Sequence, residues 1–214
     1  PLIQLDFNEV DGAASLINHG SVNVTGTFYG AAAAYGTEVA PVNREGPDGY
    51  SGLFAYIDNT TGDRNYVDFG DIDEMDSIPA LTVCTWLRGT AAQGTAVARL
   101  AGKGWNFEFG LSISDPVLQT YSPQLKIDTG WANGSAVPIT NEWVFVAITF
   151  DGTLGSDNVV YYTGTDTLIT KVFTNTIAKS GTIASSSPLY VGDWNGTAGS
   201  RAFNGYMDNF RIYD

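Results

Sequence analysis

The last 28 residues of the chain, 187–214, read SPLYVGDWNGTAGSRAFNGYMDNFRIYD and leave a folding chain few choices. Leu189, Tyr190 and Val191 form a short apolar run that stops at Gly192, and a polar loop follows with one large aromatic, Trp194, in it. Phe203, Asn204 and Gly205 then turn the chain into a run that ends at Tyr213, with Tyr206, Asp208, Phe210 and Ile212 at alternate positions. Side chains of a strand alternate between its two faces, so this spacing predicts a strand with one side buried. Asp208 interrupts the apolar series. A carboxylate there is costly unless hydrogen-bond donors or a cation meet it.

The same pattern recurs along the chain. Residues 2–7, 20–30, 53–57, 66–69, 81–88, 96–101, 105–114, 124–128, 143–150, 159–163 and 168–173 read as short strands set apart by Gly, Asn and Asp turns. Residues 81–88 and 96–101 are expected to pair with each other. Residues 143–150, apolar on both faces, are expected to form a central strand covered on each side. The acidic stretch 71–76 reads as a solvated connection, the polar stretch 174–187 as a loose connection within the sandwich, and the alanine run 31–34 as a loop. Such strand and turn spacing predicts an all-β fold, a two-sheet antiparallel β-sandwich of the jelly-roll kind, with residues 1–214 as a single domain.

Charge narrows the partners. A net charge of −13, with only 10 Lys and Arg and no basic run, argues against nucleic acid and against an anionic membrane surface. No apolar run approaches the ~20 residues that span a bilayer as a helix. The single cysteine, Cys84, has no intrachain disulfide partner and is expected to be a buried, inert thiol. His19 stands in a turn and reads as a surface residue. The chain opens on Pro1 rather than Met, which suggests removal of a signal peptide or tag. With so few cysteines, the expected setting is secreted or cell-surface and bacterial.

Four segments, in order, resemble laminin G-like domains of the concanavalin A-like lectin/glucanase class: NYVDFG at 65–70, LTVCTWL at 81–87, NEWVFVAITFDG at 141–152, and the closing segment described above. The resemblance implies a concanavalin A-like sandwich. It also implies a structural calcium that ties the first strand to the last. Calcium takes about six to eight oxygens. Asp208 matches the family's aspartate, with Asp6, Asn8 and Asp48 as suppliers of the remaining oxygens; the alternative is that Asp208 accepts backbone N–H bonds or pairs with Arg211. Where the family carries Tyr-x-Asp-Gly, this chain has Tyr162, Thr163 and Gly164, so no carboxylate carries over there.

Catalysis finds little support in the residues. The Glu-x-Asp-x-x-Glu strand of the glucanase branch is absent, and so are the histidine and cysteine clusters that zinc needs. Sugar binding needs an aromatic platform with amides and charged groups beside it. Trp105, Trp131 and Trp194 lie among Gly, Asn and Asp, where an exposed indole points to a ligand. Tyr121, Asn195 and Arg99 are further candidates, and Lys103 joins Arg99 if both line one face for an anionic group. Trp86 and Trp143 sit in apolar strands and read as packing. The expected function is a non-catalytic carbohydrate-binding module that holds a polysaccharide or oligosaccharide for the catalytic domain of a larger parent protein. The alternatives are a glycoside hydrolase or polysaccharide lyase of the same fold, and an adhesion or spacer domain.

Overall fold

The computed structural model describes residues 1–7, 9, 15–29, 52–54, 66–89, 97–115, 119–165, 167–177, 183, 185–193, 203 and 205–214. Among them sixteen strands form two antiparallel sheets, with no α-helix and a short 3₁₀ turn at Asp73–Met75. The seven-stranded sheet runs β1 (Ile3–Leu5), β16 (Gly205–Tyr213), β6 (Ala80–Gly89), β12 (Val144–Asp151), β13 (Val159–Gly164), β14 (Ile169–Asn175), with β4 (Gly52–Phe54) also on β16. The nine-stranded sheet runs β10 (Gly130–Asn133), β9 (Thr120–Ile127), β8 (Phe107–Asp115), β7 (Val97–Lys103), β15 (Leu189–Val191), β5 (Tyr66–Asp68), β3 (Thr25–Tyr29), β2 (Ser15–Ile17), with β11 (Val137–Pro138) also on β9. The fold is the expected all-β sandwich.

Alternation builds the core. Val83, Leu87, Val146, Ile148, Phe210 and Ile212 face inward from one sheet, and Val67, Phe107, Phe109, Leu125, Ile127 and Leu189 from the other; all are buried. Each such side chain contributes roughly 1.5–3 kcal/mol on leaving water. The first and last strands meet as expected: Ile3 lies opposite Ile212 and Leu5 opposite Phe210.

The sequence reading needs four corrections here. Strands β6 and β7 do not pair; β6 lies between β16 and β12, and β7 between β15 and β8, in different sheets. Strand β12 is apolar on both faces, yet only the inward one is closed, since Phe145 is half-buried on the outer side. Trp86 and Trp143 pack, but against rings on that outer surface rather than in the core. Residues 71–76 are not merely solvated: Ile72 and Met75 are buried, and Asp71 and Asp76 hold the ammonium of Lys103 at 2.6 and 3.0 Å.

Candidate functional site

Four neighbouring strands of the nine-stranded sheet, β7 to β10, turn a set of polar and aromatic side chains away from the core. On β9, Tyr121, Leu125 and Ile127 are buried inward, so Gln124 and Lys126 point out. On β8 the inward Phe107 and Phe109 leave Glu108 outward. Register then lines them up. Trp131 pairs with Lys126 and Asn133 with Gln124. Lys126 pairs with Glu108 and Gln124 with Gly110, which in turn pairs with Arg99. Gly110 gives Arg99 its room: a Cβ there would lie 2.7 Å from the Ala98 carbonyl oxygen and 3.2 Å from the arginine side chain. Trp105 enters from the β7–β8 turn, where Gly104 takes a φ of 57° that a side chain would strain.

Beneath the indoles lies a buried charge ladder. Glu108 is fully buried, and one carboxylate oxygen accepts a short hydrogen bond from Arg99 Nε while the other lies 3.2 Å from Lys126 Nζ. Arg99 Nη1 donates to Gln124 Oε1 at 2.8 Å, and Gln124 Nε2 donates to Asn133 Oδ1 at 2.7 Å. Buried charges persist only when paired and hydrogen-bonded. Glu108 Oε2 meets both demands through Arg99, while Oε1, without a hydrogen-bond donor among the described residues, relies on its ion pair with Lys126. The cations also meet the rings. Arg99 lies 4.9 Å from the Trp131 centroid, and Lys126 lies 4.8 Å from that of Trp105 and 5.2 Å from that of Trp131. Each such contact contributes about 0.5–2 kcal/mol. Arg99 and Lys126 are almost wholly covered, while Trp131 remains 41% and Trp105 63% exposed. The rings are therefore fastened from one side and open on the other.

Of the residues expected from sequence, Trp105, Trp131 and Arg99 are brought together. Trp131 stands on a strand, β10, and not in a loop. Tyr121 is corrected: it is 0% exposed and packs in the core, because it takes an inward position of β9. Lys103 is also corrected, since its ammonium is buried against Asp71, Asp76 and the Ser185 carbonyl, away from Arg99's partners. Trp194 and Asn195 lie outside the described residues. Sequence reasoning missed Lys126, Glu108, Gln124 and Asn133. The alternation of Gln124, Leu125, Lys126 and Ile127 carried the signal for two of them.

The expected calcium ligands are divided. Asn8 and Asp48 lie outside the described residues. Asp208 is buried; its Oδ1 accepts the Asn209 backbone N–H at 2.8 Å and its Oδ2 the Asn209 side-chain amide at 3.2 Å. Asp6 accepts from Gln4 Nε2 at 3.3 Å. Among the described residues, the carboxylates grouped closely enough to share a cation are Asp71, Asp73 and Asp76, with ligand oxygens within 4.8 Å of one another. Two of these three already face the Lys103 ammonium, a cation supplied by the chain itself.

A second aromatic surface occupies the outer face of the seven-stranded sheet. Trp86 lies 5.5 Å from Phe145 and Trp143 6.3 Å from Tyr206, ring centre to ring centre, and Arg88 sits 5.2 Å over Tyr206. A hollow of about 330 Å³ is bounded there by Cys84, Trp86, Phe145, Asn209, Arg211 and Tyr213.

Solved structures share this architecture at low identity. A heptameric pentraxin from Limulus polyphemus has a TM-score of 0.58 and 12% identity, over 75% of this chain and 73% of its own. Domain 4 of AbnA, an extracellular arabinanase from Geobacillus stearothermophilus solved with arabinotriose, has a TM-score of 0.54 and 15% identity, over 100% and 91%. A botulinum neurotoxin type C structure, described in terms of two ganglioside molecules, has a TM-score of 0.61 and 11% identity, over 99% of this chain but 47% of that one. No curated protein matches the sequence. The Laminin_G_3 family model, described as Concanavalin A-like lectin/glucanases superfamily, matches residues 61–214, and the chain belongs to that family.

Proposed function

We propose that the chain is a non-catalytic carbohydrate-binding module that holds a polysaccharide or oligosaccharide on the outer face of strands β7 to β10. The observation that carries this reading is the indole pair, Trp105 and Trp131, fixed over one buried ammonium with an open side to water. A saccharide ring stacks its apolar face on such a platform, and nearby amides bond its hydroxyls. Rings already fastened by cations lose little freedom when a ligand arrives, which favours binding. The Gln124–Asn133 pair lies beside Trp131 and is placed to meet hydroxyl groups. Glu108, the carboxylate under the rings, is held between two cations and sealed from solvent, which suits a structural counter-charge better than an acid that protonates a leaving group. The arabinotriose and ganglioside in the descriptions of two structural neighbours fit the same reading.

The module works in a secreted or cell-surface protein beside a catalytic domain, and a calcium held by Asp208 and Asp6 would brace its first and last strands. A reversible fall in melting temperature on EDTA treatment, restored by calcium, supports that brace; an unchanged melting curve removes it. The binding function is tested on an array of plant, algal and host glycans, followed by calorimetry on the best hit. Trp131→Ala and Trp105→Ala should each weaken binding while the fold persists by circular dichroism. Undiminished affinity in both variants, or turnover of the bound glycan, would sink the proposal.

A further inference from the structure

The outward row that begins at Trp131 does not stop at the charge ladder. Register carries it from Trp131 through Lys126, Glu108 and Gly102 to Tyr190 and Asp68. Gly102, which is buried, adds no side chain to the row between Glu108 and Tyr190. Beyond it stands a second aromatic group. Tyr66 packs edge-on to Tyr190 at 5.4 Å, and Tyr29 stacks on Tyr66 at 5.3 Å with 14° between the ring planes. Tyr29 is 46% exposed, and Tyr66 and Tyr190 are half-buried. Burial, then the neighbouring Asp68 carboxylate and the tyrosines beside it, push the Tyr190 hydroxyl above its ordinary pKa, so it stays a neutral donor and acceptor. Four strand spacings of about 4.8 Å separate Trp131 from Tyr190, roughly 19 Å along the face. No single pyranose ring covers that distance.

We propose that the bound saccharide runs across the strands from the indole pair to the tyrosine group, so that the face takes an extended chain of several sugar units rather than one terminal sugar. The inference rests on the reading of the indole pair given above and adds the ligand's length and path. Aromatic groups at the two ends of this outward row give such a chain two stacking zones, and two linked contacts bind more tightly than either alone.

The test uses length ladders of arabino-, xylo-, cello- and algino-oligosaccharides, from single sugars upward, with affinity read by calorimetry on wild type, Trp131→Ala, Tyr190→Ala and Tyr29→Ala. The expected result is affinity that climbs with length by about tenfold or more, ~1.4 kcal/mol, before levelling off. Tyr190→Ala and Tyr29→Ala should flatten that climb, so that long oligomers bind about as weakly as short ones. Tyr29, the most exposed of the three, serves as the variant if Tyr190→Ala loses its fold. Binding that requires Trp131 but does not grow with length, or that ignores both tyrosine variants, overturns the extended path and leaves the indole site standing. Loss of the length dependence without any Trp131 requirement, or no binding by any ladder, overturns the indole site as well.

Discussion

The two outer faces of the sandwich both carry aromatic rings, arginines and amides, yet they use them in opposite ways. On the seven-stranded sheet the rings are mutual partners: Trp86 leans on Phe145, Trp143 on Tyr206, and Arg88 covers Tyr206 while donating to Asn141 at 3.0 Å. On the nine-stranded sheet the partners of Trp105 and Trp131 are cations lodged in the sheet surface, and those cations share one buried carboxylate. Those four rings are all half-buried and spend their contact area on one another. A ring anchored from below by a charge keeps its upper side for something else. Composition alone does not separate a binding face from a packed one; the share of each ring left open to water does.

The largest effect that would break this contrast concerns Glu108. Glu108→Gln keeps the shape and removes the charge, which takes from the buried Arg99 and Lys126 the carboxylate they share. The expected loss is about 3–5 kcal/mol in urea denaturation, whereas Arg88→Met on the opposite face should cost under about 1 kcal/mol. A loss below about 1 kcal/mol for Glu108→Gln would mean that the cations reach water and do not depend on the carboxylate. Next comes ligand affinity. Trp131→Ala should weaken glycan binding about tenfold or more, and Trp86→Ala should leave affinity unchanged while lowering stability. The reverse outcome would move the site to the hollow beside Cys84.

The smallest effect sharpens the packed face. Burial raises the Cys84 thiol from 9.0 to about 11, against a smaller opposing pull from Arg211. Between those values the folded thiol keeps its proton while the unfolded one gives it up. Stability is therefore complete below pH 9 and falls as pH rises through this window. The Cys84 share midway through the window is about 1 kcal/mol. Cys84→Ala should remove that part of the alkaline decline, measured as the slope of unfolding free energy against pH. An identical slope in the variant would mean that the thiol already meets solvent.

Much of the sandwich was legible because alternation is a local signal: β6, β8, β12, β13 and β16 lie close to the expected ranges, whereas β10 and β11 were not foreseen as strands. Pairing was not. Residues 81–88 and 96–101 look like two arms of a hairpin, and only the tertiary fold assigns them to different sheets. For the site, Gly and Asn around Trp105 and Trp131 marked exposed indoles correctly. Tyr121 misled because a Ser-Pro sequence after it resembles a loop, whereas the strand continues through Pro123 with Tyr121 turned inward. Lys126 and Glu108 were overlooked because a charged residue inside a strand says nothing about what lies across it. Their meaning comes from register, which joins positions 18 apart on adjacent strands.

Lys103 shows how tightly the chain's ends depend on its middle. Its ammonium bonds to Asp71, Asp76 and Ser185, positions 32, 27 and 82 residues away. A nascent chain that has not yet supplied Ser185 must leave this lysine hydrated or hold it with aspartates alone. Closing so long a loop adds little entropy per residue but must precede the reward. The clamp thus ties completion of the sheet to arrival of the C-terminal quarter, and a polypeptide cut between residues 115 and 185 would need both pieces together before either could seal that charge away.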